Sequence, residues 1–237
     1  MIKVRTLSVR FSEKLNNAEI PAFRGAISNK IGWQHDIFHN HTAEGKHINR
    51  YPLLQYKSMG GYAGIFCMGE GVDEIHHFFN QGAWKIHLSG RELNLEILNL
   101  ELKQHTFQVW NKMFEYQIDN WLALNDKNYE EYIKLKFATE KIEMLEKVLK
   151  GNILSMAKGI NWTIEKDIKV KIADVGTPKF LPLKGVKLMS FSLPFFTNVS
   201  LPRNLGLGKG VSHGFGSIKN QKKSQINEPR KANEHAE

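Results

Sequence analysis

Tyr51-Pro-Leu-Leu-Gln-Tyr-Lys-Ser-Met-Gly-Gly-Tyr-Ala-Gly-Ile-Phe-Cys-Met68 reads as a β-hairpin. Tyr51 to Lys57 and Tyr62 to Met68 are strand-like, and Gly60-Gly61 between them supply the positive φ that a tight turn needs. Toward the N-terminus, Ile2 and Val4, then Leu7, Val9 and Phe11, alternate as a strand with a phase change that suggests a bulge near Arg5 and Thr6. Phe23, Ala26, Ile27 and Ile31 follow at helical spacing, predicting a helix from about Ala18 that stops at Gly32. Trp33 to Arg50 is a polar, histidine-rich connection. Beyond the hairpin, Val72 to Gln81 predicts a short helix, and Lys85 to Leu88 and Leu93 to Leu102 predict strands. The order β-α-β-β-α-β is the ferredoxin-like (RRM-like) arrangement, an α+β fold with helices on one face of an antiparallel sheet.

A second, degenerate copy follows. Its first strand is expected over Thr106 to Lys112 or slightly longer, and one long helix over Tyr129 to Lys158. In that helix Ile142, Leu145, Leu149, Ile153 and Met156 form a buried stripe, with Glu140, Lys141, Glu143, Glu146, Lys147 and Lys150 as its solvated face. Strands are expected around Ile168 to Ala173, Phe180 to Leu183, Val186 to Phe195 and Phe215 to Lys219. The expected division is therefore two tandem ferredoxin-like domains, 1–104 and 105–219, and a disordered basic tail, 220–237.

Between the last two strands lies Gly206-Leu-Gly-Lys-Gly-Val-Ser-His-Gly-Phe-Gly216, with five glycines. A dinucleotide fingerprint is excluded because no βαβ unit follows, and a Walker loop because Gly208-Lys209 precedes Gly210 and not Ser or Thr. A plain flexible connection is one alternative, but charge argues for a phosphate ligand. Residues 166–223 hold eleven Lys or Arg against Asp167 and Asp174, a net +9 that equals the charge of the whole chain. The rest is balanced, so the basicity is a local field suited to RNA or DNA. A membrane suits it less, since the region alternates like strands and forms no basic amphipathic helix. Cys67, the single cysteine, excludes an internal disulfide and any multi-cysteine zinc site and fits a reducing compartment, with the cytoplasm as expected location.

Leu205-Gly206-x-Gly208-x-x-x-x-x-Gly214-Phe-Gly216 resembles the C-terminal glycine-rich signature of the repeat-associated mysterious proteins (RAMP), the RNA-binding family of CRISPR systems. Together with the Ile2-Lys-Val-Arg5 strand and Phe38-His-Asn-His41 after the first helix, it makes residues 1–219 similar to the CRISPR repeat-processing endoribonucleases. The resemblance implies a ribonuclease that uses neither metal nor cofactor and cuts precursor CRISPR RNA within the repeat. The RNA's own 2′-hydroxyl is the nucleophile, and the products carry a 2′,3′-cyclic phosphate and a 5′-hydroxyl. CRISPR repeat RNA is then the main partner, with effector-complex subunits and a second copy of the chain as further ones. The alternative is a noncatalytic RAMP-type subunit that coats guide RNA, which has no need of a general base.

Family catalytic histidines fall after the first helix, where this chain offers His35, His39, His41 and His47. Two imidazoles suit removal of the 2′-hydroxyl proton and protonation of the departing oxygen. His39 and His41, two residues apart, project from one face if the backbone there is extended. Lys46, Arg50 and Tyr51 could add charge or a phenolic hydrogen bond. The catalytic set is thus His41, His39, Lys46 and Tyr51, and the RNA-binding set is Arg50, Arg203, Gly206, Gly208, Lys209, Gly210, His213, Gly214 and Gly216. A zinc site of His39, His41, His47 and Asp36 has suitable ligands but no familiar spacing. His76-His77, on the predicted helix between Ile75 and Phe78, are assigned no chemistry.

Overall fold

The computed structural model describes residues 1–32, 34–39 and 50–220. Strand β1 (Ile2–Lys14) is followed by Asn16, whose side chain accepts from the amides of Ala18 and Glu19 while the Glu19 carboxylate accepts from the Asn16 amide. This capping box opens a 3₁₀ turn and helix α1 (Ile20–Ile31), which buries Ile20, Phe23, Ile27 and Ile31 and ends at Gly32. Strands β2 (Leu54–Met59) and β3 (Tyr62–Met68) form the expected hairpin, with Gly60 and Gly61 at φ +67° and +84°. β2 starts later than expected because Pro52 cannot donate to a ladder.

The helix expected over 72–81 is two short ones, α2 (Glu70–Glu74) and α3 (His76–Phe79). β4 (Lys85–Leu88) and β5 (Arg91–Asn94) pair as a separate hairpin. β6 (Ile97–Phe107) then returns to the sheet and runs three residues past the expected boundary at 104. The order β2-β3-β1-β6, antiparallel throughout, is that of a ferredoxin-like sheet. The phase change in β1 has another cause than a bulge at Arg5 and Thr6, since the register irregularities come only after Arg10. Val4 and Thr6 on one face and Leu7, Val9 and Phe11 on the other are all buried. Phe11 meets Phe23 of α1, while Ser8 on the opposite face receives a hydrogen bond from Asn204 of the second domain. Both faces of the strand are therefore covered. α2 and α3 are too short to cover the edge strand, so Leu98, Leu100 and Leu102 of β6 are exposed.

The second domain comprises β7 (Val109–Trp121), α4 (Asp126–Lys134), α5 (Ala138–Gly159), β8 (Val170–Ile172), β9 (Lys179–Leu183), β10 (Val186–Val199) and β11 (Ser217–Asn220). Its sheet order, β11-β7-β10-β8 with β9 extending β10, repeats that of the first. The second crossover helix is replaced by residues 200–216, which hold a single 3₁₀ turn at Val211–His213, and that replacement makes the copy degenerate. The single helix expected over Tyr129 to Lys158 is broken. Leu135 and Phe137 are extended, at ψ 129° and 140°, and the Glu140 carboxylate accepts from the Phe137 amide to start α5 afresh. α5 buries Leu145, Leu149, Ile153 and Met156 as its stripe required, with Ile142 half-buried. Glu146 is not a solvated residue: it accepts from the Ile172 amide at 3.0 Å and from Lys171 at 3.2 Å, fastening β8 to the helix. No helix among the described residues is long and apolar enough to cross a membrane.

Candidate active-site cleft

Gly206 is hydrogen-bonded through both of its backbone groups to the first domain. Its carbonyl accepts from the Tyr51 hydroxyl at 2.5 Å, and its amide donates to Gln55 Oε1 at 2.9 Å. Gln55 Nε2 in turn donates to the Tyr51 oxygen at 2.9 Å. Both side chains come from the start of the hairpin, so the chain that opens the fold also grips the glycine segment. Burial pushes the Tyr51 phenol well above its ordinary range, and the hydroxyl holds backbone in place. Tyr51 was expected as a catalytic group; in the fold its hydroxyl is engaged with the Gly206 carbonyl and helps to hold the segment.

The glycine segment is a packed element. The amides of Leu207, Lys209, Gly214 and Gly216 donate to the carbonyls of Gly216, Leu122, Val211 and Asn120. Those four donors are used within the protein. Glycine is required here by space. A Cβ on Gly208, at φ +95°, would stand 2.6 Å from Trp121 Nε1, and one on Gly216 would run into the Leu207 carbonyl. The segment from Gly208 to His213 lines a cleft, to which it brings the exposed side chain of Lys209.

The turn Asp36–Phe38 is held from three sides. Tyr56 Oη and Ser28 Oγ donate to the Phe38 carbonyl at 3.2 and 3.4 Å, and Arg24 donates to the His39 carbonyl. Arg24 also donates to His213 Nε2 at 3.0 Å, so that ring nitrogen is an acceptor and the neutral ring keeps its proton on Nδ1, beside Ser212 Oγ at 3.3 Å. Burial lowers the Arg24 pKa, but a guanidinium stays charged. One cation thereby ties helix α1, the histidine turn and the glycine segment together. His39 itself is 3% exposed and has ψ −7°. That backbone is not extended, so the argument that placed His39 and His41 on one face does not hold at His39. His41, Lys46 and His47 lie outside the described residues.

A cleft of about 750 Å³ opens between the domains beside this knot, lined by Arg50, Tyr51, Lys158, Lys184 and Gly208 to His213. Of the expected RNA-binding residues it gathers Arg50, Gly208, Lys209, Gly210 and His213. Lys158 and Lys184 join them without having been singled out, Lys158 from the last turn of α5 and Lys184 from the β9–β10 turn. Only topology brings them together. Arg50 also pairs with Asp36 at 3.1 Å. Arg203 and Gly214 line a different cleft of about 850 Å³, with Arg10, Lys57, Asn204 and Lys219. Lys57 there is 1% exposed, and its ammonium has no hydrogen-bond partner among the described residues. Trp121 and Trp162 are core residues and present no stacking face to a ligand.

Family models for the Cas6b N-terminal and C-terminal domains match residues 1–106 and 108–221. A solved structure described as Cas6b superposes with TM-score 0.85 at 28% identity, covering 92% of this chain and 100% of that one. A second, a CRISPR RNA processing endoribonuclease Cas6b, gives 0.68 at 26% identity with the same coverage. An uncharacterised protein of Methanocaldococcus jannaschii is 39% identical over 142 residues, 56% of this chain and 95% of that protein.

Proposed function

The chain belongs to the Cas6b family and is a CRISPR RNA processing endoribonuclease, and we propose that it cuts within the repeat without metal, using the RNA's own 2′-hydroxyl as nucleophile. The observation that carries this reading is the basic interdomain cleft lined by Arg50, Lys158, Lys184 and Lys209, where Arg50 also pairs with Asp36 of the histidine turn. These cations suit a scissile phosphate and its developing charge. A histidine of the segment 35–47 removes the 2′-hydroxyl proton and a second acid protonates the departing 5′-oxygen. His41 is the strongest candidate, because His39 is buried in this structure and would have to turn outward to reach RNA.

Cleavage of repeat RNA is expected to survive EDTA, to leave a 2′,3′-cyclic phosphate and a 5′-hydroxyl, and to stop when the sugar before the scissile phosphate lacks its 2′-hydroxyl. His41→Ala should lower the single-turnover rate by about 10²- to 10⁴-fold with affinity nearly unchanged. Tyr51→Phe should cost more stability than rate. Loss of cleavage in EDTA with rescue by magnesium would overturn the mechanism, and tight binding of repeat RNA without any cut would point to the noncatalytic subunit.

A further inference from the structure

His76 and His77 were given no task by the sequence, yet the fold stacks them with a third histidine from a distant segment. The His35 and His77 ring centroids are 3.9 Å apart, and those of His77 and His76 are 4.0 Å apart. Glu74 is one helical turn before His77, and Ile75 between them keeps helical backbone at φ −60° and ψ −20°, so the pair shares one face. Glu74 Oε2 lies 3.5 Å from His77 Nε2. The ligand atoms of His35, Glu74 and His77 all fall within 4.8 Å of one another, on half-buried side chains.

We propose that His35, Glu74 and His77 bind one divalent transition-metal cation, zinc foremost, as a clip between the Asp36–Phe38 turn and helices α2 and α3. Two imidazoles and a carboxylate suit zinc, whereas magnesium and calcium prefer oxygen donors. Ligands about 2.05 Å from a tetrahedral ion stand about 3.3 Å apart. The Glu74–His77 pair already has nearly that spacing, and rotation of the half-buried His35 ring closes the rest. A water molecule completes four-coordination. The clip fixes the entry to the histidine-rich segment, since His35 precedes the turn that ends at His39. It lies outside the basic cleft and takes no part in the cutting step. The set shares no residue with the zinc group considered from sequence, His39, His41, His47 and Asp36.

The test titrates chelator-stripped full-length protein with zinc chloride against a chromophoric chelator, and with cobalt chloride for the visible absorption of a four-coordinate ion. One equivalent is expected to bind. H35A and H77A should each weaken binding at least about 100-fold and E74A at least about tenfold, beyond the effect of outer-shell changes. H76A and the H41A/H47A double variant should bind as wild type does. At zinc about a hundred times the dissociation constant, Tm should rise by about 5–10 °C in the wild type and stay unchanged in H77A. Should H77A misfold, H77Q and E74Q carry the same comparison. No binding, binding retained in an H35A/H77A double variant, or binding lost in H41A/H47A would overturn the site.

Discussion

Lys57 shows what a single residue costs when the fold surrounds it. It stands on β2 inside the hairpin whose alternation is plain in the sequence, where nothing distinguishes it from an outward lysine. The second domain closes over it: a Cβ on Gly206 would lie 2.7 Å from its Nζ. Burial lowers its pKa from 10.5 to about 7. The sign follows from proton counts. Between about pH 7 and 10.5 the unfolded chain holds a proton that the folded chain releases, so this residue makes stability rise with pH across that window. Below pH 7 its cost is complete and constant. Lys57→Met should therefore stabilise the protein by about 1–4 kcal/mol at pH 6, with a gain that shrinks toward pH 10. Urea unfolding at several pH values measures it. A gain that does not change with pH would mean that the amine is not buried as charge. Tyr51 carries the same lesson, because its hydroxyl reads as chemistry in the sequence and holds Gly206 in the fold.

At the scale of elements, the glycine segment separates folding from binding. Gly216 has φ +62°, and a side chain there meets the Leu207 carbonyl, so Gly216→Ala should cost about 2–4 kcal/mol and lower RNA affinity only through the damaged fold. Lys209→Ala should leave urea unfolding unchanged while weakening binding. If Gly216→Ala kept wild-type stability yet lost RNA, the backbone itself would be the phosphate ligand and the packed description would fail. The elements most legible in the sequence were those set by local periodicity: α1, the Gly60-Gly61 hairpin and the stripe of α5. The break at Leu135–Phe137 was hidden, because no glycine or proline marks it and Tyr129 to Lys158 stays compatible with one helix. Glu146 was hidden for a different reason, since its partner amide belongs to Ile172, which reaches it only through the tertiary fold. The same holds for the cluster of His35, Glu74 and His77, whose members are separated by the β2–β3 hairpin.

For the whole molecule, the two stacked ferredoxin-like units matter because the basic residues of the cleft come from four separate places. Arg50 follows the histidine segment, Lys158 ends α5, Lys184 turns between β9 and β10, and Lys209 tops the glycine segment. The charge count in the sequence located the field in the C-terminal half but could not say that Arg203 and Lys209 open onto different clefts. Each phosphate neutralised on a single strand contributes about −0.7 to the slope of log K against log salt, so four cations give about −2.8 from this cleft. Replacing Lys158, Lys184 and Lys209 together by alanine should make the measured slope shallower by about 2 and slow cleavage at low substrate. Arg203→Ala should change the slope by at most about 0.7, and additively with the triple variant, because its cleft is separate. Fluorescence titrations of repeat RNA from 50 to 300 mM salt would measure both. If the triple variant kept the wild-type slope while Arg203→Ala flattened it, the RNA backbone would run through the larger cleft, and the site of cutting would have to be sought beside Lys57 and Arg10 instead.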